Sequence, residues 1–179
     1  MTSRGPIGSI PVQIGEGFEG GGVSAAHVNT VLGDRNGPIG AAWSQALATP
    51  SQGHAPFVVV ARPGLPVKPF TLFVNKSALA SEEHAHLTWG AAQAGVAAGV
   101  LECVATGVVP AEIADLSVLI AAVWVDPGAK AAHQDAIFAN NRVATIAALS
   151  SGITGRPTAL EVVADIEQGG AFFNPFYEP

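Results

Sequence analysis

A glycine-rich turn between two strand-like segments is the feature that most constrains how this chain folds. Residues 8–17 and 24–33 alternate between apolar and other side chains, and Gly20-Gly21-Gly22 lies between them. Alternation with a period of two is typical of a strand with one buried face, so the pattern predicts two strands joined by a turn. The chain therefore opens with sheet-forming segments.

Later segments mix strands and helices without a strict β–α–β alternation, which predicts an α+β fold with helices packed on a sheet. Gly37-Pro38 predicts a helix start, because proline suits the first helical position. The prolines of residues 62–69 favour an ordered loop without regular secondary structure, and Gly152 is expected to end a helix. Further strands are predicted at residues 57–60, 71–76 and 116–125, and helices at residues 81–107, 130–151 and 157–169. The alanine and glycine content of the helix at residues 81–107 indicates close approach of another element.

Charged residues are scarce in this chain. They make up 12% of the 179 residues, whereas 49% are hydrophobic. An ordinary soluble domain contains about 25% charged residues. A largely uncharged surface is typical of obligate homo-oligomers, so we expect copies of the chain to associate. The four aromatic side chains among residues 172–177 are then expected to pack on their own subunit or a neighbour.

Composition also excludes several classes of protein. The net charge is −6 and the lysines and arginines are scattered, which provides no basic patch for a nucleic acid. Cys103 is the only cysteine, so neither an intrachain disulfide nor a CxxC metal site can form. We see no signal peptide and no apolar run approaching the roughly 18 residues of a membrane span. We therefore expect residues 1–179 to form one cytoplasmic domain.

His27 is the first candidate for chemistry, because it lies where the glycine-rich loop becomes a strand. An imidazole has an unperturbed pKa of about 6.5 and exchanges protons near neutral pH. A structural histidine at a strand end, with both ring nitrogens satisfied, explains the same position. The residues alone leave both interpretations open. The preceding loop lacks the GxGxxG spacing that a dinucleotide site needs.

The other histidines carry weaker signals. His84 and His86 lie beside two glutamates, but side chains at i and i+2 of a helix do not face each other, which argues against a metal site. A solvated helix start is the favoured interpretation of that segment. His54 in a loop and His133 at a helix start have no partner that the sequence identifies.

Two further kinds of polar side chain are candidates for ligand contacts. Lys68 and Lys76 flank a predicted strand, and a lysine near a pocket can hold an anionic or carbonyl-bearing ligand, although most lysines are simply solvated. Gln93 lies in an alanine- and glycine-rich helix. A buried glutamine without hydrogen bonds lowers the stability of the fold by about 1–3 kcal/mol. Hydrogen bonds to the edge of a heteroaromatic ligand would offset that loss. A solvent-facing Gln93 would need no ligand.

Several segments occur together in an order and spacing that resemble the formaldehyde-activating enzyme family. They are Gly15-Glu16, Ala26-His27, Leu32-Gly33, Gln52-Gly53-His54, residues 67–76 and residues 90–97. The Lys-Pro-x-Thr-Leu-x-x-Asn-Lys element that ends at Lys76, together with the placed histidine, is the specific part. The resemblance covers roughly residues 13–125 and is looser afterwards, where residues 154–157 and 174–176 also look related.

This resemblance implies an activity and an assembly. The family condenses formaldehyde with tetrahydromethanopterin to methylene-tetrahydromethanopterin and water, a lyase reaction of one-carbon metabolism and formaldehyde detoxification. It implies tetrahydromethanopterin, or a related tetrahydropterin, as co-substrate, without a metal or redox cofactor. It also implies a single domain like ribosomal protein S5 domain 2, and a homopentamer with pterin sites between subunits.

The family's functional residues can be placed on this chain. The resemblance implies that His27 is the proton donor and that Lys76 and Gln93 contact the pterin. Val58 falls on an apolar contact position and keeps its character.

Two contact positions depart from the family's pattern. Asn29 stands where the family has aspartate, and Ala78 stands where it has threonine. Asparagine keeps hydrogen bonding but lacks the charge that would orient His27 or raise its pKa. Ala78 lacks a hydroxyl group for a ligand contact.

Three classes of function therefore stay open. A catalyst is expected to bring His27, Lys76 and Gln93 to one cleft, at a subunit interface. The departures at Asn29 and Ala78 favour a second class, a non-catalytic homologue that binds a pterin or formaldehyde. The third class is a purely structural oligomer, which would have no pocket holding these side chains together.

Overall fold

The computed structural model of the protein describes residues 10–170, and a five-stranded mixed sheet is its centre. The strands of this sheet are β1 (Gln13–Glu19), β2 (Ala26–Asp34), β3 (Phe57–Val58), β6 (Phe70–Asn75) and β7 (Ser117–Trp124). Their order is β1-β2-β7-β6-β3, and only β6 and β7 run parallel. The predicted strand pair around the glycine-rich turn is confirmed: β1 and β2 are antiparallel neighbours.

Helices connect the strands and cover the sheet. Their bounds are α1 (Pro38–Ala48), α2 (Glu82–Leu87), α3 (Gln93–Ala105), α4 (Ala111–Ala114), α5 (Gln134–Thr154) and α6 (Ala159–Glu167). A π-helical turn at Thr88–Ala92 joins α2 to α3, so that one continuous helix runs from Glu82 to Ala105. Mixed strand directions and helices outside a β–α–β pattern confirm the predicted α+β fold. The likeness to ribosomal protein S5 domain 2 stays an implication of the resemblance.

Glycine lets the layers of the fold approach closely. A Cβ atom at Gly15 or Gly17 in β1 would meet backbone oxygens of Ala148 and Ala144 in α5. Gly95 of α3 lies equally close to α5, where a Cβ atom would meet the carbonyl oxygen of Phe138. This confirms that the alanine- and glycine-rich helix has a close neighbour. Helix α5 therefore packs between β1 and α3, and the main core lies beneath it.

The two faces of the sheet differ in how they are covered. Along β2, Val28, Thr30 and Leu32 are buried on the side that α5 covers, whereas His27, Asn29 and Val31 point to the other face and are partly exposed. Helix α1 covers one end of that second face, where Ile39 packs over Gly33. The other end is open and includes the apolar side chains of Ile14 and Phe18, which are 73% and 40% exposed. We call this uncovered part, around His27, the open face.

Three predicted elements need correction. Residues 57–60 do not form one buried strand, because β3 ends at Val58 and a second strand, β4 (Val60–Arg62), begins two residues later. Residues 62–69 are not a loop without regular secondary structure: β4 pairs with β5 (Leu65–Pro66) through a turn in which Gly64 has a φ of 78°. Prolines are tolerated in so short an edge hairpin, where few ladder hydrogen bonds are needed.

The end of α5 is the third correction. Gly152 lies inside the helix, where a Cβ atom would come within 3.3 Å of the Gly15 nitrogen, so this glycine serves close packing. The helix ends instead at Gly155, which has a φ of 63° in the left-handed region. Left-handed glycine is a common helix end because it has no Cβ to clash.

The helix from Glu82 to Ala105 also corrects an expectation. By length and composition it meets the criterion for a membrane span, although no apolar run in the sequence suggested one. More than half of its most apolar window is buried within the protein, against α5 and the sheet, as is typical of a core helix. The expected docking of residues 172–177 lies outside the described residues.

Candidate active site

Sheet pairing builds a row of side chains across the open face around His27. His27 pairs with Phe18 of β1 on one side and with Trp124 of β7 on the other. Side chains directly opposite in neighbouring strands share a face, so these three lie side by side. Lys76 directly follows β6, and its backbone N–H donates to the carbonyl oxygen of Val123, which places it next to Trp124. The predicted loop-to-strand position of His27 thus leads to a solvent-accessible cluster.

A carboxylate holds the imidazole of His27. Nε2 of His27 lies 3.1 Å from Oε1 of Glu16 on β1. The His27 side chain is 38% exposed and that of Glu16 is 61% exposed. His27 is therefore partly exposed, and among residues 10–170 only its Nε2 has a side-chain partner.

Lys76 approaches His27 from the opposite side. Its ammonium nitrogen Nζ donates a hydrogen bond of 3.4 Å to the carbonyl oxygen of His27. The preceding Asn75 is buried and donates from Nδ2 to the carbonyl oxygens of Gly53 and Ser77, which fixes the end of β6. The structure thus brings His27 and Lys76, two of the three side chains expected in one cleft, close together.

Burial and the two charged neighbours set the pKa of His27. Burial lowers this pKa most, and the Lys76 ammonium lowers it further. The Glu16 carboxylate opposes both effects through its charge and its hydrogen bond. The net direction is downward from the ordinary value. Burial also lowers the pKa of Lys76, again opposed by Glu16. A carboxylate, an imidazole and an ammonium group are therefore electrostatically coupled on the open face.

Asn29 lies on the same face, one step further along β2. Its cross-strand partners are Glu16 on β1 and Ala122 on β7. Position 29 carries no charge in this chain. The carboxylate beside His27 comes instead from Glu16 on β1. Glu16 is a site residue that the sequence reasoning quoted only as part of a motif. Its role depends on the register between β1 and β2, which the sequence does not reveal.

Val58 and Gln93 belong to a second group of side chains. They line a depression of about 390 Å³ together with Ala55, Pro56, Phe57, Val60 and Trp89. Oε1 of Gln93 accepts a 2.8 Å hydrogen bond from the Val60 N–H, which leaves the amide NH2 group for a ligand. The lining is mainly apolar, and Trp89 is 48% exposed at its edge. Such a depression suits the flat ring of a heteroaromatic ligand.

Within one chain the two groups of side chains are separate. The strand order places β7 and β6 between β2, which carries His27, and β3, which carries Val58. Three strand spacings correspond to roughly 14 Å. His27 and Lys76 therefore share one cluster, while Gln93 lines another depression. Ala78 is exposed in the loop after Lys76 and lies beside Gly53, whose loop leads to β3.

The remaining histidines have structural surroundings. His84 is not part of a solvated helix start: it is fully buried, its Nδ1 accepts from the Ala80 N–H, and its Nε2 lies 3.1 Å from the carbonyl oxygen of Val125. Because one nitrogen accepts and the other donates, these bonds fit a neutral imidazole. His86 is exposed, as predicted. Nδ1 of His54 contacts the Asn75 carbonyl oxygen. Across residues 10–170, no three metal-ligating side chains gather at one point.

The fold and the open face define an α+β protein with a cluster of ionisable side chains, Glu16, His27 and Lys76, at one face of its sheet. The sequence profile of the family described as Formaldehyde-activating enzyme (Fae) matches residues 14–173, nearly the whole chain. The 5,6,7,8-tetrahydromethanopterin hydro-lyase of Methanosarcina barkeri is 40% identical over 151 residues, which cover 84% of each protein. The chain therefore belongs to the formaldehyde-activating enzyme family.

Longer relatives contain the same region. Proteins named bifunctional enzyme Fae/Hps are 37% identical over 155 residues in Methanothrix thermoacetophila and 36% identical over 164 residues in Archaeoglobus fulgidus. These alignments cover 87% and 92% of this chain but only 39% and 40% of the relatives. The chain thus spans about two fifths of the length of those bifunctional relatives.

Proposed function

We propose that this chain condenses formaldehyde with tetrahydromethanopterin to methylene-tetrahydromethanopterin and water, with His27 as general acid. Membership of the family and the name of the Methanosarcina barkeri relative support the reaction. The observation that carries the role of His27 is its accessible imidazole between Glu16 and Lys76. The imidazole, which can exchange a proton, lies between the carboxylate of Glu16 and the ammonium group of Lys76, on a surface that a substrate can reach.

The reaction needs an acid at one step. A pterin nitrogen attacks the carbon of formaldehyde and gives a carbinolamine, whose hydroxyl group leaves poorly unless it is protonated. His27 in its imidazolium form donates a proton to that oxygen, water departs, and an iminium ion remains. The second pterin nitrogen then attacks the iminium carbon, closes the ring and releases one proton, which restores the imidazolium. A positioned acid of suitable pKa contributes roughly 10²- to 10⁴-fold.

The depression at Gln93 supplies what the His27 cluster lacks. Its apolar lining and the free amide NH2 group suit a pterin ring, whose polar edge the amide would meet. Because this depression and His27 are separate within one chain, the two halves of the site come together across a subunit interface. The exposed apolar side chains of the open face, including Ile14 and Phe18, support such an interface. The family resemblance suggests a homopentamer of this kind.

The test is the rate of methylene-tetrahydromethanopterin formation from its two substrates. The wild-type chain is expected to exceed the spontaneous reaction, and His27→Gln is expected to lose about 10²- to 10⁴-fold of the added rate. Glutamine retains hydrogen bonding but cannot act as an acid. Calorimetry should show that the variant still binds the pterin.

The second candidate function is a non-catalytic pterin-binding homologue, which the uncharged Asn29 and the missing hydroxyl at Ala78 favour. It predicts calorimetric binding of the pterin with wild-type rates equal to the spontaneous reaction. That result would reject the catalytic proposal.

A further inference from the structure

We propose that Glu16 is the positioning residue of the acid–base centre: it holds Nε2 of His27, so that Nδ1 is the atom that exchanges a proton with the substrate. This inference rests on the proposed function of His27. It adds a residue to the site and assigns separate tasks to the two ring nitrogens.

The sheet itself fixes the geometry of the pair. Glu16 and Phe18 lie two residues apart on β1 and so point to the same face, the one that carries His27. The phenyl ring of Phe18 is 6.2 Å from the imidazole, centroid to centroid, and tilted by 59°. The backbone of Glu16 is tied to α5, since its N–H donates to the Ser151 hydroxyl and its carbonyl oxygen accepts from it. The carboxylate is thus presented from a fixed strand.

The contact distinguishes the two ring nitrogens. Oε1 of Glu16 engages Nε2, and an ionised carboxylate accepts hydrogen bonds only. Nε2 therefore carries a proton in both the neutral and the charged form of His27. Within residues 10–170, Nδ1 has no hydrogen-bond partner, so it is the nitrogen left for a ligand.

The proton balance follows from this arrangement. In the imidazolium form, Nδ1–H donates its proton to the carbinolamine oxygen as the carbon–oxygen bond breaks and water leaves. His27 is then neutral with its remaining proton on Nε2, still bonded to Glu16. The proton released when the ring closes returns to Nδ1. The carboxylate keeps its charge throughout and holds the ring in one orientation.

Two charged neighbours act on the pKa of His27 in opposite directions. Glu16 on β1 favours the imidazolium form, and Lys76 at the end of β6 disfavours it. The neighbour on β7 is Trp124, which carries no charge. Glu16 is therefore the group that opposes, in part, the lowering of the His27 pKa by burial and Lys76. Asn29 faces Glu16 across the strand pair but carries no charge.

Glu16→Gln tests this assignment, because glutamine keeps the size and an acceptor oxygen but removes the charge. The matched control is Glu19→Gln: Glu19 lies three residues further on the same strand, pairs with Ala26 and is not among the charges that act on His27. Nitrogen-15 NMR of the imidazole gives its titration and its tautomer, and the pH profile of kcat/KM gives the titration in catalysis.

We expect the wild-type imidazole to be protonated at Nε2 when neutral. Glu16→Gln should titrate at lower pH, lose its tautomer preference and show its fall in kcat/KM at lower pH. Near neutral pH its kcat/KM should drop by about 2- to 5-fold, because an exposed ion pair changes the protonation equilibrium of His27 by about that factor. Glu19→Gln should match the wild type, and Glu16→Asp should recover part of the titration shift.

Two results would overturn the assignment. One is a Glu16→Gln protein whose titration and tautomer equal those of the wild type; the other is an equal change in Glu19→Gln. The NMR readout does not need turnover. A wild type without catalysis would therefore defeat the proposed function, whereas the NMR would still decide the contact between Glu16 and His27.

Discussion

Asn29 and Glu16 face each other across the first two strands, one step away from His27. The sequence marks position 29 as the place where a charge is missing. The structure shows that Glu16 supplies a carboxylate to His27 from the adjacent strand. An uncharged residue at position 29 is therefore compatible with a protonated His27, and it avoids placing two carboxylates directly opposite each other.

Asn29→Asp would create that pair of facing carboxylates. Added negative charge near His27 favours the imidazolium form and raises its pKa, so the loss of kcat/KM with rising pH should move to higher pH. Directly opposed like charges should also lower the free energy of unfolding by about 0.2–1 kcal/mol. Asn36→Asp, in the turn after β2, is the control with the same charge change. An unchanged pH profile in Asn29→Asp would show that position 29 does not act on His27.

Single residues were predictable where their own chemistry marked them. His27 and Lys76 stand out by residue type and motif, and the structure brings them together. Glu16 and Trp124 were not identified, because their place beside His27 depends on strand register and on a parallel β6–β7 pairing of distant segments. Local sequence carries no signal for that pairing.

At the scale of elements, glycine has two different tasks that look alike in the sequence. Gly155 ends α5 through its positive φ, whereas Gly152 and Gly15 allow α5 and β1 to approach. The helices and long strands were predicted because hydrophobic periodicity and end signals are local. The predicted end of α5 and the predicted loop at residues 62–69 were wrong. Both depend on contacts with residues outside the segment: the close packing of Gly152 on β1, and the pairing of two short strands.

Gly15→Ala tests the close contact between β1 and α5. The new methyl group would meet the carbonyl oxygen of Ala148, so we expect unfolding by denaturant to show a loss of about 1–3 kcal/mol. Gly21→Ala is the matched control, because a Cβ atom there has nothing within 4 Å and its backbone is extended. Equal stability of the two variants would contradict the close packing of α5 on β1.

Across the whole molecule, the candidate site residues form two separate groups. His27 and Lys76 lie on the open face, and Val58 and Gln93 line a depression at the opposite edge of the sheet. The scarcity of charge predicts association between copies of the chain, but it does not reveal that these residues lie in two separate groups. We propose that the two groups join between subunits into one catalytic site.

Mixed oligomers test this claim most directly. His27→Ala removes the acid, and Gln93→Glu removes the amide NH2 group while keeping an acceptor for the Val60 N–H. The two variants, carrying different tags, are co-expressed, purified through both tags and assayed for methylene-tetrahydromethanopterin formation. In a randomly mixed ring, about a quarter of the sites would combine two intact halves. We therefore expect the mixed oligomers to recover roughly that fraction of the wild-type rate. Activity no higher than the mean of the two separate variants, in oligomers that carry both tags, would contradict it.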